Sequence, residues 1–146
     1  MLLRQVSLFV LSLTLSSLAV SAQTKTLSIP KPTPPGNIQL LDGYKYEQLE
    51  GIDSYVGVIK GENGLEIRHD IGNMAGNYTR RYLDSKVGDV VWIKRQTLNN
   101  DDVLVVLLKN GHIIANYTKS SANFFASTSK QEEIVDFMLI VMTYKP

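Results

Sequence analysis

The chain has no cysteine among its 146 residues. Disulfides, thiolate nucleophiles and thiolate metal sites are therefore excluded, and so is lipid attachment through an N-terminal cysteine. Histidine is nearly as scarce: His69 and His112 are the only two, far apart in sequence. Zinc needs a cluster of His, Cys or carboxylate ligands, so neither a metal site nor any other cofactor is expected. An excess of one charge is missing as well. Fifteen basic residues face fourteen acidic ones, and loss of Arg4 with the leader described below leaves fourteen of each. A neutral chain lacks the electrostatic footprint of a nucleic-acid partner. It also lacks a polybasic patch for an anionic membrane surface.

Catalytic signatures are absent too. There is no Gly-x-Ser-x-Gly elbow, no phosphate loop ending in Gly-Lys-Ser/Thr and no dinucleotide fingerprint. The oxygen-rich run Asn99-Asn100-Asp101-Asp102 lacks the spaced ligands, central Gly and terminal Glu of a calcium loop. It reads as a hairpin turn.

Met1 to Ala22 has the layout of a secretory signal peptide. Arg4 gives the positive start, Val6 to Val20 the apolar core, and Val20-Ser21-Ala22 a small-residue cleavage site before Gln23. An uncleaved N-terminal anchor is the alternative. With the leader removed, the expectation is an exported protein, periplasmic or secreted, with no membrane insertion. Small exported domains commonly rely on disulfides; this one must rely on its core. Residues 23–36 form a spacer in which Pro30, Pro32, Pro34 and Pro35 favour extended polyproline II structure. Residues 37–146 then suffice for a single domain.

Within that domain the pattern is mostly of period two. Tyr44 to Leu49 and Tyr55 to Lys60 read as strands, and Asn63-Gly64 as a tight turn of type I′. On the return strand Leu65, Ile67, His69 and Ile71 share one face, with Glu66, Arg68 and Asp70 on the other. His69 thus falls with the apolar set, as a hydrogen-bonded core histidine, and cannot pair with Asp70. Asn77 to Leu83 reads as another strand, followed by Asp89 to Thr97, Val103 to Leu108 and His112 to Thr118. Val103 to Leu108 is apolar throughout, as in a strand covered on both faces. Asn110-Gly111 repeats the turn signal. Near the C-terminus Ser129-Lys130-Gln131-Glu132 has capping-box spacing, and Ile134, Phe137, Met138, Ile140, Val141 and Tyr144 recur at helical intervals. The fold class is α+β: an antiparallel β-meander of six to eight strands, a curved sheet or partial barrel, packed by one C-terminal helix. A closed up-and-down barrel with a cavity is the alternative.

Three functions fit this reading. The first is an exported non-enzymatic binding module for an unknown protein or small-molecule ligand. Its expected site joins Tyr78, Arg80, Tyr82, Trp92 and Lys94, placed on one sheet face by their even positions, with the Gly72–Gly76 loop carrying Asn73 and Met74. Aromatic and arginine side chains are the usual interface anchors, and Gly-bounded loops often carry binding groups. The second is a small barrel enclosing an apolar molecule. The third is a small hydrolase with an acidic or His-containing cleft, for which Asp53, His69 and Asp70 are the candidates.

Overall fold

The computed structural model describes residues 33–83 and 88–146. The leader and most of the proline-rich spacer lie outside them. Seven antiparallel strands form one open sheet, packed by a single C-terminal helix. The strands are β1 (Tyr44–Gln48), β2 (Tyr55–Gly61), β3 (Glu66–Ile71), β4 (Val90–Leu98), β5 (Asp101–Leu108), β6 (His112–Tyr117) and β7 (Ala122–Ser127). Their order across the sheet is β1-β2-β3-β7-β6-β5-β4. Two meanders, β1 to β3 and β4 to β7, are thus sutured where β7 pairs with β3, His69 standing opposite Phe124. No barrel closes, because β1 and β4 remain edges.

β7 has no counterpart in the sequence reading. Its short Ala122-Asn123-Phe124-Phe125-Ala126 run is apolar on both faces, so neither alternation nor helical period marks it. Residues 77–83 depart from expectation in the other direction. They form turns and a short 3-10 stretch, Arg80–Tyr82, and not a strand. The sheet has no vacant edge beside β3, which β2 and β7 already flank. Residues 77–83 instead lie over the sheet, Tyr82 reaching Leu104, Val106 and Leu108 of β5 and Ile114 of β6.

The hairpin turns sort themselves by conformation. At Asn63-Gly64 only the glycine has positive φ, and Gly64 N–H donates to Gly61 C=O over 3.0 Å. Asn110-Gly111 repeats this, with Gly111 N–H bonding Leu108 C=O over 3.0 Å. Both are type I turns closed by a glycine bulge, the three-residue hairpin loop, rather than the two-residue type I′ expected. Type I′ geometry occurs at Asn99-Asn100, where both residues have positive φ (51° and 65°) between the paired Leu98 and Asp101. Asp101 then serves the opposite turn. Burial works against its charge, yet Lys119 N–H, Ser120 N–H and the Ser120 hydroxyl hold its carboxyl below the usual range.

The helix, α1 (Gln131–Val141), covers one face. Phe137, Ile140 and Val141, with Tyr144 beyond it, pack against Ile59, Ile67, Val105, Ile113, Ala115 and Phe124. The expected capping box does not form, because the cap position is Lys130 and not Ser129. The closure shifts by one residue: the Thr128 hydroxyl accepts Lys130 N–H at 3.0 Å and donates to the Glu133 carboxylate. Lys130 also pairs with Glu133 at 2.7 Å, and this cation together with Thr128 holds the Glu133 carboxyl down. Farther along, Asp136 accepts from the Tyr44 hydroxyl (2.7 Å) and Asn63 Nδ2 (3.1 Å), tying helix to hairpin. Burial and the Asp136 carboxylate push the Tyr44 phenol up to about 12. Asp136→Ala should cost about 1 kcal/mol in urea denaturation, the usual worth of such part-buried bonds.

One glycine sets the packing of the first meander. Gly57 lies opposite His69, and a Cβ there would come within 2.5 Å of His69 Nε2 and 2.7 Å of the Tyr46 hydroxyl oxygen. The missing side chain is what lets both rings lie flat over β2. Gly57→Ala should cost about 2 kcal/mol by overpacking, read as a lower denaturation midpoint with unchanged slope.

Candidate functional site

The face opposite the helix carries a smaller core and a groove. Leu104, Val106, Leu108 and Ile114 are covered there by Tyr82, with Val90 and Phe125 beside them. Strand register lays the outward side chains of β3, β7 and β6 in three cross-strand rows: Ser127–His112, with Glu66 two residues before Arg68 on the same face of β3, then Arg68–Phe125–Ile114 and Asp70–Asn123–Asn116.

The third row pins the connection between β3 and β4. Asn123 is fully buried. Its Oδ1 accepts Asn116 Nδ2 (2.9 Å) and Tyr78 N–H (3.2 Å), and its Nδ2 donates to Gly76 C=O (3.1 Å). Asp70 accepts from the Tyr78 hydroxyl, and this bond first, then burial, raises the phenol to about 12. The Tyr78 ring leans on Phe125 with centroids 5.8 Å apart. The connection thus becomes a wall standing on the sheet.

The first two rows line a groove of about 1090 Å³ beside that wall. Phe125 and Ile114 make its floor, Tyr78, Arg80 and Arg81 its wall, and Arg68 one flank. Arg81 is held by its neighbour: its guanidinium lies 4.7 Å from the Tyr82 ring centroid and donates to the Tyr82 hydroxyl. Arg68 has one exposed partner, Glu66, at 3.4 Å, an interaction of about 0–1 kcal/mol. Arg80 makes no ion pair among the described residues. The groove combines forked cationic donors, suited to carboxylate or phosphate, with an aromatic and aliphatic floor. A second cleft of about 450 Å³ lies across the wall, lined by Thr79, Arg95, Asp102 and Thr118 among others.

The expected site residues are dispersed by this fold. Tyr78 and Arg80 line the groove, and Tyr82 is buried beneath its wall. They do not share a sheet face with Trp92 and Lys94, because residues 77–83 are not a strand. Trp92 lies half-buried against the helix-side core, and Lys94 is exposed on the same edge strand. Asn73 and Met74 are exposed in the Gly72–Gly76 loop and are not among the residues lining the groove.

The hydrolase candidates are not brought together either. Asp53 is exposed in the corner before β2, and Asp70 faces the wall. His69 is 2 % exposed on the helix side. The rings of Tyr55, Tyr46 and Phe124 surround it at 5.4, 5.7 and 6.1 Å. Its Nδ1 lies 3.1 Å from Tyr55 C=O and its Nε2 3.2 Å from the Tyr46 hydroxyl. Those partners place the proton on Nδ1 and leave Nε2 accepting. Burial lowers the imidazole to about 4, so the ring is neutral near pH 7.

Arg81, His112, Ile114 and Phe125 were not anticipated in the sequence. Arg81 sits at an odd position that a strand would have turned away, and Phe125 belongs to the unread strand. The Phe124-Phe125 pair, flanked by the polar Ser120-Ser121 and Ser127-Thr128, is the available signal.

Among the described residues no group of three or more His, Asp or Glu side chains is placed to hold a metal ion, and no helix is long and apolar enough to cross a membrane. Comparison with family models, with curated proteins and with solved structures returns no match to this chain.

Proposed function

We propose that this chain is an exported, non-enzymatic binding module whose site is the arginine-walled groove on the sheet face opposite the helix. The observation that carries this reading is the convergence of Arg68, Arg80 and Arg81 around the Phe125–Ile114 floor. Export rests on the leader pattern of residues 1–22. A binding role, rather than a hydrolytic one, is supported by the enclosure of His69 and its separation from Asp53 and Asp70. It is supported further by the wall: Tyr78 N–H, Asn116 Nδ2 and the carbonyls of Ala75 and Gly76 all turn to Asn123, which pins the segment that leads into Arg80 and Arg81, the preorganisation a binding site needs.

The test is NMR titration of the isotope-labelled folded protein with an envelope or culture-supernatant extract. Amide shifts should cluster at Arg68, Tyr78–Arg81, His112 and Phe125. Shifts centred on Trp92 and Lys94, or on Asn73 and Met74, would overturn the groove as the site.

A further inference from the structure

Resting on the groove as the binding site, we infer that its ligand is a free single-chain anionic amphiphile, with one carboxylate or phosphate head at the arginines and an apolar chain along the floor.

Backbone pairing argues against the main competitor, an extended peptide. Peptides that lie along sheets gain affinity by hydrogen-bonding a free strand edge. β3, β7 and β6 are interior strands, each paired on both sides. A peptide backbone in the groove would find no strand to pair with, and each of its amides would need a side-chain partner or lose water without replacement. An alkyl chain has no such groups to satisfy.

Charge and floor agree with that choice. Three arginines face one carboxylate, Glu66, across the groove. Phe125 and Ile114 occupy the middle row, between the arginines of the wall and the rim formed by Glu66, Ser127 and His112. A head held at the wall therefore leads its chain over the apolar row and out toward that rim. The volume, about 1090 Å³, lies just above the range of roughly 300–1,000 Å³ common for small-molecule sites.

Isothermal titration of the full-length folded protein, below micelle-forming concentrations, decides the matter. The probes are dodecanoate, decanoate, octanoate, dodecyl phosphate, inorganic phosphate and an acidic nonapeptide. Dodecanoate and dodecyl phosphate should bind one to one, with affinity falling up to about fourfold for each methylene removed. Arg80→Ala and Arg81→Ala should each weaken them about tenfold, and rising salt should weaken them further. The chain-length series needs no substitution, so it stands even if a variant folds poorly. Inorganic phosphate binding as tightly as dodecyl phosphate would overturn the apolar half of the inference. An acidic peptide that shifts the groove amides while dodecanoate does not would overturn the ligand class and leave the groove standing. If neither the probes nor the extract moves a groove residue, the binding-site reading fails with it.

Discussion

Between pH 6.5 and pH 4 the protein should lose about 3 kcal/mol of stability, and His69 should account for most of the loss. The imidazole titrates near 6.5 in an unfolded chain but near 4 in the folded one, because burial disfavours its charged form. The unfolded state therefore binds the proton first as pH falls. The stabilisation is complete above pH 6.5 and disappears as pH drops through the window to 4. The structure gives a charged ring no hydrogen-bonded carboxylate: its neighbours are the neutral Tyr55 carbonyl and Tyr46 hydroxyl, inside a ring of aromatic side chains. Asp101 and Glu133 act in a lower window, since both carboxyls are held below their ordinary values and lose their contribution only as pH falls further. Urea denaturation at pH 7, 5.5 and 4.5 measures the effect. His69→Gln should be less stable at pH 7 but should lose markedly less than the wild type across the window. Equal losses in the two proteins would place the acid sensitivity elsewhere.

Asn123→Ala should be comparably costly, at about 3 kcal/mol, since it strands several buried partners at once. The Tyr78 amide, Asn116 Nδ2 and the carbonyls of Gly76 and Ala75 all turn to this one side chain. Its second consequence is functional. Asn123 is not among the groove's lining residues, yet it holds the wall that is, so ligand affinity should fall together with stability. Thermal denaturation and dodecanoate titration of the same variant check both. Full stability with intact affinity would mean that the wall stands without its amide anchor.

Much of this architecture is legible in the sequence where one physical signal dominates. Strict alternation from Leu65 to Ile71 puts His69 in the core and Asp70 outside, as found. The all-apolar Val103–Leu108 run is covered on both faces, by the helix on one side and by Tyr82 on the other. The C-terminal period of 3.6 yields the helix, although its cap is shifted because Thr128 and Glu133 reach each other first. What escapes the sequence is decided by long-range pairing. Nothing local in Asn77 to Leu83 says that the edge of β3 will already be taken by β7, 50 residues later in the chain. That contact converts a plausible strand into a wall, turns Arg81 toward the groove, and parts Tyr78 and Arg80 from Trp92. The site was half visible for the same reason: its wall residues are polar and conspicuous, whereas its floor belongs to a strand whose pattern is ambiguous alone.

The two faces of the sheet make opposite predictions for binding. Dodecanoate affinity measured in Arg80→Glu/Arg81→Glu and in Trp92→Ala/Lys94→Ala, each beside the wild type, separates the two faces directly. Reversing the wall charges should abolish detectable binding, while the substitutions on β4 should leave it within about twofold, since charge placed against a ligand's own sign costs far more than the loss of a distant side chain. Undiminished binding to the charge-reversed wall, or its loss with Trp92 and Lys94, would contradict the groove as the working surface of this protein.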